Sequence, residues 1–295
     1  MAKRRRQTKE VRVKSWVELQ RELYEESWNP ALQRFRSDFA FRGMSNADWD
    51  LHTSLSRLGG NFRELEGHLL RNFKKYASAT PPRMESEWVW LALAQHHGLP
   101  TRMLDWTYSP YTALHFATVN LAEYNNDAIV WCVNYVRAHE LLPLKLRNVL
   151  RAERSNVFTS EMLERCATNL AELEGLSRKQ FAVFLEPPSL DERIVNQYAL
   201  FSFMSDPKTQ FDDWVEGASG ELVRRIIIPR ALKWEIRDKL DQANITERVL
   251  FPGLDGLSQW LRRHYLPMPE VDPQTEAEQS DIVPERRRMS GDRDS

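Results

Sequence analysis

Hydrophobic positions along the chain switch between helical and strand spacing, and the switches outline one folded unit. In Ser15–Glu26, Trp16, Leu19 and Leu23 fall on one helical face, and Ser15 with Glu18 three positions on forms a capping box. In Ser37–Gly43, Phe39 and Phe41 alternate with Ala40 and Arg42, the period of a strand, which turns Arg42 away from the phenylalanines. Helical runs are predicted at Glu64–Tyr76 and Glu85–His96, the second stopped by Gly98 and Pro100. A third follows at Ser109–Tyr124 with Pro110 in its first turn. Gln95 to Phe116 therefore reads as helix, tight turn and second helix. Strands are predicted at Asp127–Tyr135, Phe181–Leu185 and Leu222–Pro229, the last carrying Ile226, Ile227 and Ile228. The remaining helices are a polar one at Ser160–Leu176, then Ala231–Gln242 and Leu257–Tyr265. Helices early and strands late predict an α+β fold, a single domain whose mixed, mostly antiparallel sheet is flanked by helices.

Both ends differ from this unit. Residues 1–14 are basic without apolar periodicity and predict a flexible arm. Residues 267–295 shift to Pro, Glu, Asp, Ser and Arg and predict a disordered, acidic to mixed-charge tail, leaving 15–266 as the domain. The net charge of -1 over 295 residues gives no general attraction to nucleic acid or anionic membranes. Cys132 and Cys166 form no C-x-x-C pair, which argues against a disulfide framework or a cysteine zinc site and fits a reducing interior. The longest apolar stretch, Trp88–Ala94, is far short of the roughly 20 residues that span a bilayer, and the basic start has no apolar run behind it. A soluble, cytoplasmic protein without membrane contact is expected. P-loop, G-x-G-x-x-G and G-x-S-x-G motifs are absent, and the adjacent His96 and His97 cannot both ligate one metal from a regular helix, so no metal site is expected.

The densest chemistry lies in Q-H-H-G-L-P-T-R-M-L-D-W-T-Y-S-P-Y-T-A-L-H-F, Gln95 to Phe116. With F-A-F-R-G at Phe39–Gly43, the run on to Arg57, D-E-R-I-V-N-Q-Y-A-L-F at Asp191–Phe201 and V-L-F-P-G-L-D-G-L at Val249–Leu257, this block closely resembles the FRG domain family. The likeness spans about residues 15 to 265.

A more distant likeness points to a mechanism. Phe41-Arg42-Gly43, then Thr107-Tyr108-Ser109 leading into Ala113–Ala117, is similar in order and separation to the motifs of mono-ADP-ribosyltransferases, whose third element is a glutamate on a late strand. This resemblance implies a transferase-like fold and NAD as substrate, in ADP-ribosyl transfer or NAD hydrolysis within a toxin or phage-defence setting. The acceptor would be a protein or nucleic acid. It assigns Glu247, Ser109 and His97 to catalysis. Arg42, Gly43, Arg57, His96, Thr101, Arg102, Asp105, Trp106, Thr107 and Gln197 become nucleotide contacts. Glu247 lies in I-T-E-R-V-L-F-P, with Arg248 directly before the hydrophobic pair.

Each residue also has a structural reading. Arg42 pairs with Asp105; Arg102, Asp105 and Trp106 lock the turn; one histidine caps its helix; Arg57 is surface; Trp49, Trp88 and Trp90 are core. Two function classes stay open: an NAD-using enzyme, and a sensor or recruitment module that binds a nucleotide or nucleic acid without turnover.

Overall fold

The computed structural model describes residues 9–77, 86–218 and 222–267. The basic residues 1–8 and the tail from 268 onward lie outside them. Among the described residues nine strands form in chain order: β1 Lys9–Arg12, β2 Trp28–Asn29, β3 Arg34–Phe35, β4 Phe39–Met44, β5 Met103–Thr107, β6 Ala128–Asn134, β7 Ala182–Leu185, β8 Ala199–Met204 and β9 Val223–Ile228. β2 and β3 make a separate hairpin, and the other seven form one sheet in the order β1-β9-β6-β4-β5-β8-β7. Only β1 and β9 run parallel in that sheet. The fold is therefore α+β with a mixed, mostly antiparallel sheet flanked by helices.

Strand alternation divides the core. On one face Phe39, Phe41, Val130, Cys132, Ile226 and Ile228 meet helices Trp16–Tyr24, Pro110–Thr118 and Lys233–Gln242. Farther along that face Met103, Phe201, Phe203, Val183 and Leu185 pack with Trp88 and Leu91 of helix Glu87–His96. Ala40, Met44, Leu104, Trp106, Trp131 and Phe184 point the other way, into a third cluster closed by Phe211 and Val215. Trp88 is fully buried, stacked on Phe203 and donating from Nε1 to the Ala167 carbonyl at 2.8 Å. Trp49, expected in the core, is 42 % exposed.

β4 and β5 share a single register pair, Phe41 with Thr107, whereas β4 pairs with β6 along its whole length. The ladder between β4 and β5 opens beyond that pair, and the sheet splits there.

Several predicted elements differ from those observed. The segment read as helix, turn and helix contains β5, because Leu104 and Trp106 alternate with Met103, Asp105 and Thr107 at strand period. The Pro110–Thr118 helix stops before a separate 3-10 turn at Leu121–Glu123, and the polar run after Ser160 breaks into two short helices, Ser160–Glu164 and Leu170–Glu174. β8 is apolar apart from the buried Ser202, a run whose periodicity cannot distinguish a buried strand from a buried helix. Part of the expected flexible arm is strand β1. It buries almost nothing, and it is held by the β9 ladder and by ion pairs of Lys9 with Glu25, Glu10 with Arg225 and Arg12 with Asp127. A charged edge strand of this kind carries no apolar signal. The late segment carrying Glu247 is a helical turn, Glu247–Leu250, and not a strand.

Gly43 fixes the relation between β4 and helix Pro110–Thr118. A Cβ at position 43 would lie 1.7 Å from the Ala113 carbonyl oxygen and 2.7 Å from the Ala117 nitrogen, both backbone atoms that cannot swing aside. Gly43→Ala is expected to destabilise the fold by about 3 kcal/mol, as severe overpacking does. A urea-denaturation midpoint equal to that of the parent protein would contradict this close approach.

Candidate functional site

The split between β4 and β5 is where the polar side chains gather. Asp105 O lies on the edge of β5 that no longer pairs with β4, and Arg42 Nη1 donates to it at 2.6 Å. The Asp105 carboxylate lies 3.9 Å from the same nitrogen and is 60 % exposed, so this is a loose pair beside a firm hydrogen bond to backbone. Burial pushes the Arg42 guanidinium below its ordinary pKa; Asp105 pulls it back, and the like charge of Arg57 pushes it down again. From helix Glu87–His96, Gln95 Nε2 donates to both Asp105 carboxylate oxygens at 3.0 Å, and Thr101 Oγ1 donates to Gln95 Oε1 at 2.5 Å, which fixes the amide's orientation.

A cavity of about 640 Å³ opens beside this network. Its walls bring together Arg42, Gly43, His96, His97, Asp105, Trp106, Thr107 and Gln197 of the residues expected at a site. Ser86 caps the start of helix Glu87–His96 by accepting from Trp88 N, and its last turn places His96 at the cavity with His97 as C-cap. His96 Nε2 meets Asp191 Oδ2 at 2.6 Å, and the His97 ring stands edge-on to it with centroids 5.1 Å apart. Burial raises the Asp191 pKa, but the Ile194 N–H, His96 and the Arg193 N–H together hold it below its ordinary value. Asp191 is also the N-cap of helix Glu192–Asn196, and Tyr198 beyond the far end adopts a left-handed φ of 49°. That geometry ends the helix and starts β8 with Gln197 at the cavity. Gln197 Nε2 donates to the Leu250 carbonyl at 2.9 Å, while Thr107 Oγ1 donates to the Gln197 carbonyl at 2.7 Å.

Five expected residues take other places. Arg102 is buried and forks onto Glu66, with Nε 2.8 Å from Oε2 and Nη1 donating to the Ser205 carbonyl at 2.8 Å. Each nitrogen of its guanidinium makes a hydrogen bond within the fold. Ser109 is the N-cap of helix Pro110–Thr118, accepting from Thr112 N at 3.2 Å. Thr101 is buried, holding Gln95 and accepting from Met103 N, and Arg57 is exposed outside the cavity wall.

Glu247 is 1 % exposed and faces Arg263, which donates from Nε and Nη2 at 2.6 and 2.8 Å and also holds Asp241. It does not line the cavity. The late strand beside β5 is β8, and the polar side chain entering the cavity at its start is the amide of Gln197. Arg193 and Asp191 were missed as site residues although they lie in the D-E-R-I-V-N-Q run; their signal was a charged cluster directly ahead of a polar step into apolar sequence. Arg193 lines the cavity, with its guanidinium 4.9 Å from the centre of the Phe251 ring.

Residues 37–126 match the FRG domain family model, so the β4–β5 wall and the histidine pair lie within the matched segment. No curated protein and no solved structure matches the chain. Among the described residues no helix is long and apolar enough to cross a membrane.

Burial raises the Glu247 carboxyl, but the hydrogen bonds and charge of Arg263 outweigh it and hold the pKa at about 2 against an ordinary 4.5. A depressed carboxylate stabilises the folded state above its unfolded pKa and loses that contribution as pH falls through the folded value. Glu247→Gln is expected to cost about 3 kcal/mol at neutral pH, as a broken buried pair does. It should also flatten the decline in unfolding free energy between pH 4.5 and about 2. Equal denaturation curves for variant and parent across that window would refute the structural role.

Proposed function

We propose that the cavity binds a nucleotide through its phosphate groups, and that NAD is the first such ligand to examine. The observation that carries this reading is the pairing of Arg42 and Arg193, from distant parts of the chain, on the wall of one cavity. Phosphate oxygens are the acceptors that best match a guanidinium. A bound anion would also relieve the repulsion that Arg57 exerts on Arg42. Phe41, Trp106 and Phe116 supply apolar surface for a base, and a volume of about 640 Å³ falls within the usual range of small-molecule sites.

Binding of NAD without its turnover is the reading best supported, because the carboxylate assigned to NAD chemistry, Glu247, is consumed by Arg263. ADP-ribosyl transfer or NAD hydrolysis in a toxin or phage-defence setting is the narrower proposal. It requires a carboxylate at the nicotinamide ribose, and Asp105 is the exposed acid on the cavity wall.

Titration calorimetry with NAD, ADP-ribose and ADP tests both. Arg42→Ala and Arg193→Ala should each weaken binding about 10- to 100-fold, the loss of about 1.5–3 kcal/mol expected for a hydrogen bond to a charged group. Nicotinamide release measured on the same samples separates the two forms: none is expected for a binding module, whereas release that stops in Asp105→Asn would establish the enzyme. Failure of all three nucleotides to bind overturns the proposal.

A further inference from the structure

The cavity holds a second arrangement that binding alone does not use. His96 is nearly buried, with 9 % of its side chain exposed, and a carboxylate grips one of its ring nitrogens at 2.6 Å. A carboxylate on one nitrogen fixes the ring and its tautomer and leaves the other nitrogen to take up a proton. Nδ1 makes no hydrogen bond to protein among the described residues. His97 adds a second imidazole at an interplanar angle of 77°, so the two rings address the cavity from different directions.

The hydroxyl groups of the wall narrow the chemistry. Ser54 and Thr107 are the hydroxyl side chains that line the cavity among the described residues, and no cysteine does. Ser54 Oγ accepts from Thr101 N at 3.1 Å and turns its proton toward the Thr101 carbonyl at 3.4 Å. Thr107 Oγ1 donates to the Gln197 carbonyl and accepts from Ser109 N at 2.9 Å. Neither meets a histidine, so neither is an activated nucleophile. A substrate that supplies its own attacking group suits this wall. A polynucleotide that carries its own nucleophile beside a phosphate is RNA, through the 2′-hydroxyl.

Resting on the nucleotide reading above, we propose that the cavity takes a segment of single-stranded RNA and cleaves it by transphosphorylation. His96 Nδ1 takes the proton of the 2′-hydroxyl; O2′ forms a bond to phosphorus as the bond from phosphorus to O5′ breaks. Protonated His97 gives its proton to O5′. The products are a 2′,3′-cyclic phosphate and a 5′-hydroxyl end, atoms and charge balance, and no co-reactant is consumed. Arg42 and Arg193 neutralise the phosphorane oxygens, where charge builds up. Asp191 is a positioning residue, acting through His96.

The test uses the full chain with a short end-labelled single-stranded RNA of mixed sequence and its all-deoxy counterpart. Cleavage of the RNA alone is expected, with 2′,3′-cyclic phosphate termini identified by mass spectrometry. His96→Gln should reduce the rate about 100-fold or more, the contribution of a general base, while affinity for the deoxy strand stays within about twofold. Asp191→Asn should lower kcat and leave that affinity unchanged, which a role confined to capping helix Glu192–Asn196 would not produce. Thermal unfolding of each variant guards against loss of fold, and His97→Gln supplies an independent loss of rate. RNA that binds in an Arg42-dependent manner but stays intact overturns this inference and leaves the nucleotide reading standing. Absence of binding by RNA and by free nucleotides overturns both. Cleavage that survives His96→Gln and His97→Gln, or that also cuts the deoxy strand, overturns the assignment.

Discussion

Backbone meets backbone where Gly43 of β4 lies against helix Pro110–Thr118, and the placement of the cavity follows from that contact. With no Cβ at position 43, the strand approaches the helix until the Ala113 carbonyl occupies the space a side chain would need. The helix is tied at its N-terminus by the Ser109 cap and toward its other end by Ser45 Oγ donating to the Phe116 carbonyl at 3.0 Å. The chain entering this helix is β5, which meets β4 at Phe41 and Thr107 and then diverges. A carbonyl released from a ladder must find another donor, and Arg42 provides one to Asp105. The same interaction that mends the opened ladder holds a cation at the cavity wall.

Ionised side chains in this protein have two fates. Arg102 with Glu66, and Arg263 with Glu247 and Asp241, are forked pairs whose donors and acceptors are matched within the fold. Helix Lys233–Gln242 extends the second cluster: Arg237 Nη2 donates to the Ile245 carbonyl at 2.7 Å, and Nη1 lies 3.0 Å from His115 Nδ1. Burial and the Arg237 charge then push the His115 pKa down to about 3, which keeps the ring neutral. Arg237 Nε is, like Nε of Arg42 and Arg193, buried without an acceptor among the described residues, but Arg42 and Arg193 stand on the cavity wall. Matched clusters stiffen a fold, whereas these two cations face open space.

Local signals in the sequence were reliable where each reported a local cause. The capping serine at 15, Pro110 in a first turn, the alternation of Phe39 and Phe41 and the triple isoleucine of β9 all produced elements close to those observed. β5 was hidden because turn residues on one side and Pro110 on the other made a polar stretch resemble a connection between helices. β1 was hidden because its partners, Glu25, Asp127 and Arg225, are distant in sequence and its own residues are charged. The site divided in the same way. Arg42, His96, Asp105 and Thr107 were legible from two dense motifs, whereas Arg193 and Asp191 required knowing that helix Glu192–Asn196 lies against the end of helix Glu87–His96. The placement of Glu247 was hidden for a related reason: its partner is sixteen positions later, on a helix whose register the strand reading did not supply.

The position of the cavity also bears on what the protein can do. One wall is the opened edge of β5, and the other is assembled from the end of one helix and the start of another, with His96 and Asp191 as the link. Such a construction sets Arg42 against an opened sheet edge and the His96–Asp191 pair at a joint between two helices. Movement of helix Glu192–Asn196 would carry Asp191, Arg193 and Gln197 together, because all three belong to that helix or its caps. Arg193 and the Asp191 contact to His96 are therefore carried by one short helix, whereas Arg42 is tied to the β5 backbone through the Asp105 carbonyl.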